Sequence, residues 1–318
     1  MGKHAPRRGS VAARPRKRAA SLCPRVKCWP TEGKGLLAFA GYKVGMAHVV
    51  MADDSESPTK GQEITKPVTF IEVPPLYVYS IVAYGNEIAG TRIIGEVPAA
   101  GTPKELARSM VPAKKGGDIK KIEGMLDRIS EIRVKAFTIP KKTGFAKKTP
   151  EVFEIAVGGA TPAEQLDYAK SVLGKEVKAA DVLAEGEYVD VIGVTTGKGW
   201  QGIVKRFGVA LGPRKATQTR RHGGSIGAER QAKVEYTIPR AGQMGFHRRT
   251  DKNKRILKIA EAKEVSRPGG FNDYGVPAGE CLVVEGSVIG PSKRFLKLRK
   301  TLSGKHVKKT AIKEIIWA

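Results

Sequence analysis

The chain has 318 residues, 41% of them apolar, with 57 Lys and Arg against 31 Asp and Glu, for a net charge of +26. That length and apolar content can fill one large core or two ordinary ones, but so large a positive excess repels itself in a compact state and calls for a polyanionic partner. No run approaches the roughly 18 apolar residues of a membrane span, and the basic N-terminus lacks the apolar stretch of a secretory signal.

In chain order, residues 1–31 come first, with nine Lys and Arg and no acid. They bury too little apolar surface to offset their ordering entropy, so a basic extension over 1–35, disordered in isolation, is predicted. Pro6, Pro15, Pro24 and Pro30 would also break the amphipathic helix of a transit peptide. Cys23 and Cys28 form one loose pair and Cys281 stands alone. A zinc site usually needs two close pairs, so free thiols in a reducing cytosol and no metal are predicted. Strand-like runs follow at Leu36 to Met51, Pro67 to Val73 and Val78 to Ala83. Gly41 and Gly45 predict that the first is two strands bent around a tight corner.

The middle is balanced in charge and mixed in pattern. Thr102-Pro103-Lys104-Glu105 and Thr161-Pro162-Ala163-Glu164 each offer a Thr N-cap, a Pro at the first helical position and a Glu to close a capping box. Leu166, Ala169 and Leu173 continue an apolar helical stripe after the second, and Ile119 to Ile129 predicts another helix. Strands return at Ile132 to Ile139 and Val152 to Val157, so residues 85–185 read as an α+β insertion. Further strands are predicted at Tyr188 to Thr195, Ile256 to Ala260 and Cys281 to Val288. Without strand–helix alternation outside the insertion, the predicted fold is mainly β. It is a closed antiparallel barrel built from 36–84 and 186–318, carrying the inserted α+β lobe and long basic extensions.

Charge is segregated along this frame. Residues 197–256 hold 15 Lys and Arg against three acids, and residues 290–313 hold nine against none. With the N-terminal segment these limbs carry +30, leaving the rest of the chain at −4. A protein needing only solubility would intersperse its signs.

The sharpest enzymatic motif is Gly197-Lys198-Gly199-Trp200-Gln201-Gly202, a literal G-x-G-x-x-G after a predicted strand. It fails two requirements of a dinucleotide site. The β-branched and aromatic Ile203 to Val209 predicts a poor helix, and no Asp or Glu occurs from Val191 to Ala228 to accept from a ribose hydroxyl. It also lacks the length and the Ser/Thr of a Walker A loop. His4, His48, His222, His247 and His306 form no metal-binding or nucleophile-activating pattern. No cofactor, catalytic group or small-molecule substrate is expected. The segment from Gly208 to Arg230 instead combines Arg, Lys and Gly with Ser and Thr hydroxyls. Arg pairs with phosphate and stacks on bases, while Gly threads narrow grooves. Trp200, Phe207 and Phe246 offer stacking surfaces, of which two are expected to be core.

Several blocks together resemble one family. They are His4 to Ser10 with Pro15 to Ala19; Gly41 to His48; Val194 to Gly202 with Val204 to Gly208; Arg240 to Thr250; and Gly290 to Arg294 with Leu298 to Thr301. In order, they resemble the large-subunit ribosomal protein family called L three, in its archaeal and eukaryotic form. The resemblance implies a barrel like those of translation factors, an α+β insertion, and extensions that run deep into large-subunit rRNA. One of these, about 198–249, would approach the peptidyl transferase centre. It also implies a non-enzymatic, cytoplasmic role in early subunit assembly beside neighbouring ribosomal proteins. The charge pattern by itself also suits a non-ribosomal DNA- or RNA-binding architectural protein, which is the alternative. Where many relatives carry Trp near the loop tip, this chain has Glu229 after Gly227-Ala228, so no stacking role is expected there.

The residues expected to contact RNA are Lys3, Arg7, Arg8, Arg16, Lys17 and Arg18 in the N-terminal extension, and Lys198, Lys205, Arg206, Arg214, Lys215, Arg220, Arg221 and His222 in the central segment. Arg240, Gln243, His247, Arg248 and Arg249 stand at its end, then Lys293, Arg294, Arg299 and Lys300 near the C-terminus. Most should act on phosphates, which position without reading sequence.

Overall fold

Runs rich in Val, Ile, Phe and Tyr suit a pleated, half-buried surface, and here they are strands. The computed structural model describes residues 17–31, 33–88, 90–113, 115–216, 219–229, 232–303, 310 and 312–317. The chain runs through β1 (Gly35–Leu36), β2 (Ala38–Ala52), β3 (Glu63–Glu72), β4 (Leu76–Glu87), β5 (Gly90–Pro98), α1 (Lys120–Glu123), β6 (Glu131–Thr138) and β7 (Val152–Gly158). Next come α2 (Pro162–Val172), β8 (Glu176–Val177), β9 (Tyr188–Val194), β10 (Trp200–Gln201), α3 (Ile203–Phe207) and β11 (Gly242–Gln243). It ends with β12 (Arg248–Glu261), α4 (Ala262–Val265), β13 (Glu280–Glu285), β14 (Phe295–Lys300) and β15 (Ile312–Ile316).

Two compact units divide the chain: residues 22–193 with 249–318, and residues 1–21 with 194–248. The larger holds two sheets. In one, β1-β7-β6-β4-β5 lie in order and β8 joins β4. In the other the order is β14-β9-β12-β13-β3-β2-β15, and β14 also pairs with β2, so the pairing returns to its start. Leu296 of β14 stands opposite Gly193 on one side and Gly41 on the other. A Cβ on Gly193 would lie 2.6 Å from Leu296, and one on Gly41 would lie 2.7 Å from the Glu72 carbonyl oxygen. At Gly41 the obstacle is backbone, so only glycine fits between the strands, whereas at Gly193 it is the end of the Leu296 side chain.

Leu36 to Met51 departs from the expected pair of strands. It is mostly the single 15-residue strand β2, whose register with β3 shifts between Lys43 and Gly45. One bulge supplies the bend without ending the pairing. The predicted helix starts divide. At α2, Thr161 Oγ1 accepts from the Glu164 amide at 3.4 Å and the Glu164 carboxylate accepts from the Ala160 amide at 3.0 Å, while Leu166 and Ala169 are buried. After Thr102-Pro103 only a 3-10 turn forms, Lys104–Arg108, burying Leu106 alone. The helix expected over Ile119 to Ile129 breaks at Gly124 into α1 and a second 3-10 turn, Leu126–Arg128. Each piece buries too little apolar surface to extend.

One core runs beneath both sheets. Phe153 and Phe295 meet at 5.5 Å between ring centroids, and Tyr42 Oη lies 2.9 Å from Thr138 Oγ1. The buried Glu72 carboxylate accepts from the amides of Gly144, Ala278 and Gly279, at 3.1, 2.7 and 2.9 Å, and from the Tyr274 hydroxyl. Burial pushes the Tyr274 phenol well above its ordinary value, so it stays a donor. Cys281 is buried, Cys23 half-buried and Cys28 exposed, all as free thiols.

Candidate nucleic-acid interface

The smaller unit is built on a short ribbon. β10 and β11 pair antiparallel, Trp200 opposite Gln243 and Gln201 opposite Gly242. The ladder continues by single bonds. Lys198 N–H donates to Met244 O at 2.9 Å, Met244 N–H to Gly199 O at 2.9 Å, and Thr195 N–H to His247 O at 3.0 Å. The N-terminal segment lies against the same ribbon. Ala19 N–H donates to Phe246 O at 2.8 Å, and His247 Nδ1 lies 3.0 Å from Lys17 O. A carbonyl can only accept, so His247 carries its proton on Nδ1.

Beyond β10 the chain makes the single turn α3, closed by Gly208 in the left-handed region at φ +68. The β-branched and aromatic Ile203 to Val209 thus makes no more than one turn of helix, Ile203–Phe207, which Gly208 ends. Arg206 reaches from that turn to the ribbon. Its Nε donates to Gln243 O at 3.1 Å and its Nη1 to Arg240 O at 2.9 Å. A second contact narrows the loop farther out, where Gly212 N–H donates to Arg220 O at 2.8 Å and Arg220 Nε donates to Gly212 O at 3.2 Å. Among the described residues from Thr195 to Ala241, none is buried. Hydrogen bonds and turns hold this stretch, without a core of its own.

The predicted RNA-contacting residues fall into three groups. Lys3, Arg7, Arg8 and Arg16 lie outside the described residues. In the smaller unit, Lys17, Arg18, Lys198, Lys205, Arg214, Lys215, Arg220, Arg221, His222 and Arg240 are exposed, while Arg206, Gln243, His247 and Arg248 are half-buried. Glu229 is exposed as well. In the larger unit, Lys293 is exposed, and Arg249, Arg294 and Lys300 are half-buried. Lys300 Nζ lies 3.8 Å from Glu187. Arg299 is only 4% exposed, its guanidinium on the Asp190 carboxylate at 2.5 Å and on the Cys28 carbonyl. The basic limb expected over 290–313 therefore gives way at Phe295–Lys300, which is strand β14 between β9 and β2. Its apolar residues alternate with cations that the protein itself accommodates. Lys297, also 4% exposed, has its Nζ 4.8 Å from the Phe153 ring centroid, and burial lowers its pKa. Of the three aromatics offered for stacking, Trp200 is 76% exposed, while Phe207 and Phe246 are half-buried rather than core. The one sequence signal of Trp200 is an aromatic set among Gly, Lys and Gln.

Comparison with known proteins identifies the family over nearly the whole length. The family model of ribosomal protein L3 matches residues 1–316. The large ribosomal subunit protein uL3 of Methanothermobacter thermautotrophicus is 46% identical over 310 residues, covering 94% of this chain and 92% of that protein. The uL3 of Methanobrevibacter smithii is 47% identical over 309 residues, with 94% and 92% covered. That of Caldivirga maquilingensis is 46% identical over 313 residues, with 93% and 90% covered. Similarity this extensive, running through body and ribbon alike, means that the chain belongs to the ribosomal protein L3 family.

Proposed function

We propose that this chain is a structural, non-enzymatic constituent of the large ribosomal subunit, acting in the cytoplasm, that binds large-subunit rRNA through its basic ribbon and loop. One observation carries the RNA-binding reading. Residues 197–256 carry 15 Lys and Arg against three acids, and the described part of Thr195 to Ala241 buries no residue. A segment so charged and so coreless gains order from a partner that neutralises it and fills the space around it. Folded RNA does both.

In this reading the two-part β body, with pairing closed through β14 and β2, is a barrel of the translation-factor kind. Its parts are 36–84 and 186–318, the lobe is 85–185, and the extensions are 1–35, about 198–249 and 290–313. Exposed Lys and Arg of the extensions meet phosphates and fix register without reading sequence. Through these contacts the protein supports early subunit assembly and buttresses the peptidyl transferase centre without catalysing. Neighbouring ribosomal proteins are its other partners.

Sedimentation of a native lysate through a high-salt gradient, with and without ribonuclease, tests the proposal. Surface-bound basic proteins shed as salt rises, because counterion release dominates their affinity. The chain should comigrate stoichiometrically with the large subunit at high salt and leave it when the RNA is cut. If it stays at the top of the gradient even at low salt, the ribosomal reading fails, and the non-ribosomal DNA- or RNA-binding architectural role is the alternative to test next.

A further inference from the structure

Trp200 differs from the other tryptophans of the chain. Trp317 packs against Phe70 and Phe271, with ring centroids 5.6 and 5.7 Å away, and Trp29 is half-buried against the core. The indole of Trp200 is 76% exposed and makes no ring contact with any described residue. Leaving so large an apolar surface in water forgoes burial that the core gives other aromatics.

Its backbone, in contrast, is held. Trp200 sits in register with Gln243, and bonds between Lys198 and Met244 and between Met244 and Gly199 pin the strand just before it. The ring is therefore presented from a fixed position. The surroundings bear on what it meets. Lys198 and Lys205 are exposed, and no acid occurs from Val191 to Ala228. Leu211 is the next exposed large apolar residue along the chain. Along the chain the exposed indole stands between two exposed lysines with no acid nearby, a setting that favours an anionic partner over an apolar one. Gly202 adds a separate sign. Its φ of −70 suits any residue, and a Cβ placed there would meet nothing within 4 Å. Neither conformation nor internal packing demands glycine there, which fits close approach by something outside the chain.

We propose that Trp200 is a stacking platform for an unpaired base of the RNA, with Lys198 on the adjoining phosphate. Every base offers a π-face beside a phosphate, so this pairing of indole and ammonium suits a single-stranded or looped nucleotide. The inference rests on the RNA-binding reading above.

The test compares the full-length chain with its Trp200→Phe, Trp200→Leu and Trp200→Ala variants, titrated against large-subunit rRNA transcribed in vitro over a range of salt. Trp200→Ala should weaken binding about 5- to 150-fold, the range of one base–aromatic stack. The slope of log affinity against log salt should stay unchanged, because no phosphate contact is lost. Trp200→Phe should keep most of the affinity and Trp200→Leu should not. In a Trp29→Phe, Trp317→Phe background the remaining emission should be quenched by RNA. The variants at position 200 in the otherwise natural chain decide the matter if that background fails to fold. Unchanged affinity in Trp200→Ala overturns the stacking platform and leaves RNA binding standing. Trp200→Leu matching Trp200→Phe also overturns it, in favour of apolar docking. If the natural chain binds rRNA no more tightly than duplex DNA, the RNA-binding reading falls and takes this one with it.

Discussion

Arg299 is 4% exposed, and its Nη2 meets the Asp190 carboxylate, itself 1% exposed, at 2.5 Å. Lys293, in the same basic segment, is exposed and holds its place through its backbone, whose N–H donates to Lys43 O at 2.8 Å. Charge alone treats the two cations alike; burial separates them. Removing one member of a buried ion pair leaves the other charged and desolvated, at a cost of about 3–5 kcal/mol. Arg299→Ala should therefore lower unfolding stability by about that amount in denaturant titration, whatever RNA is present. Lys293→Ala should change it by no more than about 0.5 kcal/mol and should show its effect in RNA affinity instead. Equal, small stability losses in the two variants would refute the distinction.

At the scale of elements, the ribbon depends on one side chain from the turn beside it. Arg206 spans Gln243 O and Arg240 O with two different nitrogens, a fork that the single ammonium of Lys does not reproduce. Arg206→Lys should loosen the ribbon by about 1–2 kcal/mol, speeding amide exchange at Lys198 and Met244 roughly 5- to 30-fold while the core strands keep their protection. Exchange unchanged at those amides would make Arg206 a surface cation and no more. This element also marks what sequence made legible. β3, β4, β6, β7 and β9 follow their Val, Ile, Phe and Tyr runs, and α2 starts after its Thr161 N-cap, although the Glu164 carboxylate accepts from the Ala160 amide and leaves the expected capping box unclosed. β14 was hidden because Lys297, Arg299 and Lys300 give it the composition of a limb, while the partners that absorb two of them, Asp190 and Glu187, lie over 100 residues away. α3 stays a single turn, as the β-branched and aromatic composition of Ile203 to Val209 leads one to expect, and Gly208 in the left-handed region ends it. At the candidate interface the basic composition was legible. Which cations face outward and which serve the fold depends on long-range pairing that no local pattern carries.

For the whole molecule, the positive excess makes acid and salt the informative variables. Asp54 sits below the ordinary carboxylate range, chiefly through its hydrogen bond from Arg255, which also donates to Thr310 at 2.6 Å. A carboxylate with a lowered pKa in the folded state stabilises fully above its unfolded value near 3.9. That contribution is lost as pH falls through the lower folded value. Asp54→Asn should be less stable than the natural chain by about 1.5–3 kcal/mol at neutral pH, with the gap closing below about pH 4; parallel pH curves would exclude this role. Salt probes the opposite sign of charge. If the exposed cations of the loop sit on phosphates, each neutralised contact removes counterion release, and the salt slope of rRNA affinity falls by about 0.7–0.9 per contact. Arg214→Gln with Lys215→Gln should therefore lower the slope by nearly twice that, and adding Arg220→Gln and Arg221→Gln should lower it again by a similar step. Trp200→Ala weakens binding without changing the slope, so the two kinds of variant separate charge from stacking within one set of titrations. A slope that stays fixed as these four cations are removed would place the phosphate contacts elsewhere on the chain, and the loop would then be held by shape and stacking alone.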